Sequence, residues 1–419
     1  MQQLELLLRA ALRKPANEII GFLLQQAADQ IDQDYQARPG ETWKGRFPLQ
    51  VTGIFGSFTV WRDYYYDPSA KKGHHSADDA LGLEGACTPA LARLVCNEGA
   101  DEDSFLKAQR NLLETGGIEM EARQIHRIVQ HVGPAAVAWA KRDAKSEPCD
   151  APIMYVSADG TGVPMRKSEL AGRKGKQPDG TAKTQQSNLG CVFTQHTRDE
   201  KGHPIRDYNS TTYVGGMDNV EELGLNLRRE ALRRGSATAG QIVVLIDGAP
   251  CLETLGRINF PGSQQIVDFY HAMEHLDALT DALLGKTHPD HKKQYRRWTK
   301  MLLKDGVEKI IAQAREHSQG LSCAAAVNEA LGYFVRNVAR MQYGTFRSKG
   351  FFIGSGVIEA GCKTIVGARC KQSGMFWSKP GASNILAMRC IIQSRQWESF
   401  WKHRANDLAA ANDCFPLAA

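Results

Sequence analysis

The chain has 419 residues, a formal net charge of +6 and a sequence pI of about 8.7. The length predicts two or three domains with full cores, and a charge this mild means that any nucleic-acid surface must come from local clusters of basic residues. The ten cysteines form no C-x-x-C pair, and no apolar run approaches the roughly 20 residues of a membrane span, so we expect a cytoplasmic protein without a zinc ribbon or a membrane partner.

The first 148 residues predict a helical region that contains a β-hairpin. Apolar residues recur at helical spacing over residues 2–36, and we expect two helices there, broken at Lys14 and Pro15. Core packing or self-association would explain these apolar faces. Residues 47–66 then alternate with a two-residue period around a break at Gly53 and Gly56, which is typical of a hairpin.

A helix, a turn and a second helix follow over residues 104–132, with Gly116 and Gly117 at the turn. The second helix carries Arg123, Gln124 and Arg127, whose side chains can reach phosphates and base edges. This pattern predicts a DNA-binding helix-turn-helix. A helical hairpin that only packs against its neighbours has the same pattern.

Two strand-like runs carry aspartates, after a boundary near residues 148–152. Residues 153–164 contain Asp159, and residues 241–250 contain five consecutive apolar residues that lead to Asp247. A carboxylate at the carboxyl end of a buried strand lies where sheet ligands bind. The alternative is an ordinary Asp-Gly turn at each strand end.

A long segment without regular pattern, residues 165–188, separates these runs. Long loops inside a domain are usually functional or disordered, and a basic loop beside carboxylates suits the phosphate backbone of DNA. A solvated charged loop is the competing interpretation. The residues that we expect to contact DNA here are Arg166, Lys167, Arg173, Lys174 and Lys176.

The order of strands and helices predicts a mixed α/β sheet. Strands are expected at residues 189–197, 211–215, 241–246 and 264–268, with a helix at residues 220–234. The helix after Asp268 places His271 and His275 one turn apart. Because no HExxH motif or third ligand accompanies them, we interpret His271 as a polar group near the site rather than as a zinc ligand.

Residues 289–343 predict helices only, with Trp298 partly buried, and we interpret them as an insertion into the α/β domain. The predicted division is therefore an N-terminal region (1–148), the first part of the sheet domain (149–268), the helical insertion (269–345), the C-terminal helices of the sheet domain (346–405) and a tail (406–419). One helix is expected at about residues 382–403.

A third acid lies on a predicted helix near the end of the chain. Ser355 could cap this helix, which carries Glu359 in its first turns and Lys363 one turn later. Asp159, Asp247 and Glu359 form an all-carboxylate set that suits Mg²⁺ or Mn²⁺, and two such ions can assist phosphodiester chemistry. Further along, the residues expected to contact DNA are Arg369, Lys371 and Trp377.

Several segments together resemble bacterial insertion-sequence transposases of the ISKra group, which have an RNase H-like DDE domain. The resemblance covers about residues 152–395, and its longest segment is the most specific. The matching segments are ADGTGVP (158–164), LGCVFTQ (189–195), TTYVGG (211–216), DGAP (247–250), VDFYHAMEHL (267–276) and RMQYGTFRSKGFFIGSGVIEAGCKTIVGARCKQSGMFW (340–377).

The resemblance implies that Asp159, Asp247 and Glu359 are the metal-binding acids, and that Asp268 and His271 lie near them, as we also expect for Lys363. It implies a nucleoid-associated DNA transposase that works as a homo-oligomer on double-stranded DNA, both element ends and target. Two other functions stay open, a sugar-kinase-like phosphotransferase and a transposase-derived DNA-binding regulator. The first would need a second nucleotide-binding glycine-rich loop, which we do not find.

Overall fold

The computed structural model describes residues 2–143, 145, 148–170 and 183–411. The chain forms two compact units. One runs to Trp139 and resumes at Asn384, and the other is Ala140–Ser383. The expected division placed residues 346–405 with the sheet, whereas the stretch from Asn384 onward groups with the first unit. None of the described helices is long and apolar enough to cross a membrane.

The first half of the chain is mainly helical, apart from one antiparallel sheet. Its helices and strands are α1 (Gln2–Asp34), β1 (Thr42–Gly53), β2 (Gly56–Asp67), β3 (Lys72–His75), α2 (Ser76–Ala80), α3 (Pro89–Asp101), α4 (Phe105–Gly116) and α5 (Ala122–Lys141). The predicted hairpin is confirmed, since β1 and β2 pair antiparallel down to Gly53 and Gly56.

The second half begins with the main sheet and ends in helices. Its elements are β4 (Ile153–Pro164), β5 (Thr184–Gln195), β6 (Thr197–Arg198), β7 (Pro204–Ile205), β8 (Thr212–Gly216), α6 (Val220–Arg233), β9 (Gln241–Ile246), α7 (Pro250–Asn259), β10 (Gln264–Val267), α8 (Phe269–Leu284), α9 (His291–Leu302), α10 (Val307–Ser318), α11 (Ala324–Asn337), α12 (Tyr343–Ser348), α13 (Gly356–Gly361), α14 (Ala368–Cys370), α15 (Lys379–Gln393) and α16 (Trp397–Ala411).

Two helix boundaries differ from those expected. α1 is one helix that passes through Pro15, where the proline removes one backbone N–H donor without ending the helix. At the other end of the chain, the single helix expected over residues 382–403 is two helices. Arg395 has a φ of 57°, a left-handed conformation that ends α15 before α16 begins.

The main sheet has five strands in the order β10-β9-β4-β5-β8. β4, β9 and β10 run parallel, while β5 is antiparallel to both β4 and β8, so the predicted mixed α/β sheet is confirmed. Helices α6 and α7 cover one face. Their apolar side chains join those of the strands in a core that includes Val156, Val192, Leu227, Val244 and Leu255.

The segment between residues 289 and 343 contributes helices and no strand among its residues, as expected. Trp298 was expected to be partly buried, but it is fully buried. Its indole N–H donates to Oε1 of Gln313 at 3.0 Å, and this bond satisfies the polar atom so that the whole ring can be buried. The block packs on the sheet unit directly, since Arg340 forms an ion pair with Glu253 at 2.8 Å.

Candidate active site

Three aspartates follow the points at which the parallel pairing of neighbouring strands ends. The last paired residues of β4 and β9 are Ser157 and Leu245, and those of β9 and β10 are Ile246 and Val267. If each pairing is continued along the strands, Asp159 lies opposite Asp247, and Asp247 lies opposite Asp268, so the three aspartates form one row. The sheet therefore brings together residues that are far apart in sequence, at the edge where ligands of open α/β sheets bind.

Asp159 does not end its strand, contrary to expectation. β4 leaves β9 after Ser157 but stays paired with β5 as far as Pro164, because the two strands continue as an antiparallel ribbon. Asp159 lies at the point where the ribbon leaves the sheet. Its Oδ1 accepts the N–H of Gly160 at 2.6 Å, and the residue is partly exposed.

Asp268 is fully buried and caps α8. It accepts the N–H of His271 at 2.7 Å, pairs with Nδ1 of His271 at 3.1 Å, and accepts the N–H of Ser355. Burial alone would raise the pKa of this carboxyl, but the hydrogen bonds from His271 and Ser355 hold it below its usual value. Asp268 therefore joins the start of α8 to the segment that carries Glu359.

His271 is positively charged at neutral pH. The hydrogen bond to Asp268, helped by the charges of Asp268, Asp247 and Glu274, raises the pKa of His271 to about 9 despite partial burial. The imidazolium is one-third exposed and faces a cavity of about 470 Å³. The residues that line this cavity include Asp159, His271, Glu274 and Glu359.

Glu359 comes to the same cavity from α13. Ser355 occupies the N-cap position of this helix, but its hydroxyl does not cap the backbone as expected. It donates instead to Oε1 of Glu359 at 3.4 Å, because Asp268 already holds the Ser355 N–H and fixes its backbone. The ligand atoms of Asp268, His271 and Glu359 all lie within 4.8 Å of one another.

The helix that carries Glu359 is irregular. After α13 the backbone widens into a π-helical turn, Cys362–Gly367, before α14. Such turns often accompany functional sites, since they re-aim side chains that a regular helix would point elsewhere. Cys362 begins this turn, where burial and the neighbouring Asp159 carboxylate raise the pKa of its thiol to about 12. The thiol therefore stays protonated beside the acids.

Asp247 lies next to this cavity without lining it. Its Oδ1 accepts the N–H of Ala249 at 2.8 Å, so it also forms the Asp-Gly turn that was the alternative interpretation. Gly248 has a φ of 88°, which only glycine adopts readily, and Tyr333 donates to the Asp247 carbonyl at 2.9 Å. The charge of Asp247 reaches the cavity, since it contributes to the raised pKa of His271.

Some of the expected DNA-binding residues lie on the outer part of the β4–β5 ribbon. Arg166 and Lys167 are exposed just beyond β4, and Lys371 donates to the hydroxyl of Thr161 on β4. Lys363 is exposed on the π-helical turn, four residues after Glu359. Arg173, Lys174 and Lys176 lie outside the described residues.

Two other expected DNA contacts are buried. Arg369 is 1% exposed, and its guanidinium lies 5.0 Å from the centre of the Trp377 ring. The Trp377 indole N–H donates to the carbonyl of Cys370 at 3.1 Å. Both side chains are therefore packed beneath the surface, contrary to expectation, because the stacked pair holds the end of α14 against the chain that follows it.

Sequence reasoning missed Tyr270 and Glu274, which line the cavity, and the buried Cys362, which lies beside Asp159. Tyr270 and Glu274 belong to the same quoted segment as His271, and Glu274 lies three residues after it on one face of α8. Cys362 lies three residues after Glu359 in the same way. Helical spacing from His271 and Glu359 could have found Glu274 and Cys362, whereas Tyr270 is directly next to His271 in the chain.

The donor set fits a divalent cation. Asp159 and Glu359 are partly exposed and line one cavity, and the partly exposed Asp247 is next in the row. Carboxylate oxygens are the ligands that Mg²⁺ and Mn²⁺ prefer, and the Cys362 thiol beside Asp159 is buried and protonated. Asp268 is less available, because His271 and Ser355 already use its oxygens.

No protein-family model and no curated protein matches the chain. Among solved structures it is similar to the Drosophila P element transposase strand transfer complex, with 11% sequence identity and a TM-score of 0.22, over 76% of this chain and 80% of the other. A likeness this low carries no argument about function, so the site itself has to support the assignment.

Proposed function

We propose that the chain is a DNA transposase of the DDE type with an RNase H-like domain, which cuts DNA strands and joins the ends of an insertion sequence to target DNA. The observation that supports this proposal is the cavity that Asp159 and Glu359 line together, with Asp247 next to Asp159 in the continued register of β4 and β9. The mixed sheet adds support, since β8, β5 and β4 pair antiparallel and β9 and β10 run parallel to β4.

Asp159, Asp247 and Glu359 would hold the cation, Mg²⁺ or Mn²⁺. When bound, such ions activate an attacking oxygen and stabilise the leaving one in phosphodiester chemistry. His271 adds a positive charge to the cavity, which favours a phosphate there over other groups. Asp268 holds His271 in place and ties α8 to the Ser355 backbone, so that the acids stay aligned.

Double-stranded DNA is the proposed partner, and the ribbon beside the acids supports this. Arg166, Lys167 and Lys371 lie along it and would contact backbone phosphates, which position a duplex without reading its sequence. We also propose that the protein acts as a homo-oligomer. α1 supports this by exposing seven large apolar side chains, Leu4, Leu7, Leu8, Leu12, Ile19, Phe22 and Leu23.

Cleavage of supercoiled plasmid DNA in the presence of Mg²⁺ tests the proposal. We expect Asp247→Asn to abolish nicking while DNA binding persists, because the change keeps the shape of the side chain and removes its charge. Asp290→Asn is the matched control, since Asp290 is exposed and its side chain caps nothing. DNA binding without any metal-dependent nicking by the wild type would favour a regulator, and ATP consumption with a sugar would favour a phosphotransferase.

A further inference from the structure

A second cavity adjoins the acidic one. It measures about 890 Å³ and shares two lining residues, Tyr270 and Gly356, with the acidic cavity. The segment Phe351–Gly354 forms its floor and leads from α12 towards the N-terminus of α13. The two cavities are therefore neighbouring compartments of one groove, with Tyr270 and Gly356 at the junction.

The chemistry of the two compartments is opposite. The first is lined by Asp159, Glu274 and Glu359, whereas the described residues that line the second include no acid. The second is lined by the basic side chains of Lys201, His203 and Arg347, together with aromatic rings and backbone. A groove that combines positive charge with aromatic faces is typical of single-stranded nucleic-acid binding.

Tyr270 presents its ring to this groove. Its side chain is 60% exposed, and a Cβ added at Gly354 would lie only 2.9 Å from the ring atom Cε2. Glycine at position 354 therefore lets the ring lie across the backbone, with its other face open. Such a supported ring is a platform on which a base can stack.

The basic residues of the groove lie partly on a short hairpin, β6–β7. Lys201 and His203 lie at the tip of the β6–β7 hairpin, and Asp199 fixes this tip by accepting the N–H groups of Lys201 and His203 at 2.9 and 2.7 Å. Arg198 donates to the carbonyl of Lys349, which joins the hairpin to the segment after α12. The charges are thus placed by the fold rather than by a freely moving loop.

We propose that this second compartment binds an unpaired stretch of the DNA strand next to the phosphate that the acids process, with a base stacked on Tyr270 and phosphates near Arg347 and Lys201. This inference rests on the proposed function and extends it, since it places a single-stranded segment of the substrate in the second compartment, beside the acidic cavity. The arrangement would hold a strand whose bases are separated from their partners near the cut.

Crosslinking with a single-stranded oligonucleotide that contains 5-iodouracil tests this inference on the full chain in EDTA, so that catalysis plays no part. We expect irradiation to join the oligonucleotide to the peptide that contains Tyr270. The same oligonucleotide in a fully paired duplex should crosslink about tenfold less. Crosslinks that map only outside this peptide, or equal yields from duplex and single strand, would overturn the proposal.

Gly356→Leu provides a blocking variant. A Cβ at this position meets no atom within 4 Å, so the larger side chain should fold without a clash and fill the junction between the compartments. Its crosslinking yield should fall about tenfold, in line with the loss of one stacked base. Gly332→Leu is the matched control, since this helical glycine is also nearly free of neighbours and lies outside both cavities.

Arg347→Ala tests the charge. We expect the logarithm of the single-strand binding constant to depend less steeply on the logarithm of salt concentration, by about 0.7, the value for one phosphate contact. Unchanged crosslinking in Gly356→Leu together with an unchanged salt slope in Arg347→Ala would refute the inference. The proposed function would survive that result, because the wild type would still nick DNA in Mg²⁺. Failure of the proposed function has a different signature, because the wild type would then not nick DNA at all.

Discussion

Asp268 and Asp159 lie in the same row of the sheet, yet their surroundings are opposite. Asp268 is fully buried, and donors from His271 and Ser355 occupy its oxygens. Asp159 is partly exposed, lines a cavity, and accepts hydrogen bonds from the N–H of Gly160 and the thiol of Cys362. The comparison separates a closed side of the site, around Asp268, from an open side, around Asp159 and Glu359.

From this difference we expect Asp268 to stabilise the fold, and Asp159 and Glu359 to be the acids that are open to a ligand. A buried carboxylate with several donors is costly to disturb, because its partners lose their bonds along with it. Partly exposed carboxylates that share a cavity repel one another, and a divalent cation relieves that repulsion. By distance alone Asp268 is also a candidate ligand, since its oxygens lie within 4.8 Å of the ligand atoms of His271 and Glu359.

The largest expected effect is on the closed side. We expect Asp268→Asn to lower the free energy of unfolding by about 3 kcal/mol, because the amide cannot accept from both Ser355 and His271 in place of the charged carboxylate. Chemical denaturation in EDTA measures this value. The same loss in Asp159→Asn would erase the distinction between the two sides.

On the open side the effect should depend on metal. In EDTA, Asp159→Asn and Glu359→Gln should leave stability unchanged or slightly higher, since each removes one of several like charges. At a Mg²⁺ concentration of about 100 times Kd, the wild type should gain about 2.7 kcal/mol, which both variants should lack. Equal stabilisation of wild type and variants by Mg²⁺ would place the cation elsewhere.

The basic residues offer a second comparison, between the buried Arg369 and the exposed Lys371. Arg369→Ala should lower the free energy of unfolding by about 2 kcal/mol, because its buried guanidinium stacks on Trp377. Lys371→Ala, on the exposed surface, should hardly change stability and should instead flatten the salt dependence of duplex binding by about 0.9. Denaturation and salt titrations of both variants distinguish these roles. A stable Arg369→Ala protein with reduced DNA affinity would contradict the packing role.

The smallest effect concerns the charge of His271. Its folded pKa of about 9 exceeds the ordinary value of 6.5, so its contribution to stability is fully present below pH 6.5 and is lost as the pH rises through about 9. NMR titration of the imidazole in EDTA measures this pKa. Asp268→Asn should bring it back towards 6.5, and an unchanged value in that variant would show that Asp268 does not cause the shift.

The sheet could be predicted from the sequence because its strands are short apolar runs that end in clear turn signals. The runs at β9 and β10 led to Asp247 and Asp268, and the helix periodicity of α6 was equally plain. Asp159 was misplaced at a strand end, since Asp-Gly looks like a turn. The pairing of β4 with β5 beyond that point is a long-range contact that no local pattern contains.

Burial was the harder property to predict. Arg369 and Trp377 read as DNA contacts because isolated basic and aromatic residues are usually exposed, but stacking on each other lets both be buried. The closed character of Asp268 was equally hidden, because Ser355 is 87 residues away in the chain. Such roles depend on tertiary neighbours, whereas the chemistry of Asp159, Asp247 and Glu359 could be argued from residue type alone.

A crystal structure with Mn²⁺, in which anomalous scattering locates the ion, would show which acids hold the metal. We expect anomalous peaks among the carboxylate oxygens of Asp159, Asp247 and Glu359, with Asp268 still bonded to His271 and the Ser355 N–H. A peak bound only by Asp268 and His271, or no peak in this cavity at saturating Mn²⁺, would contradict the division into a closed and an open side.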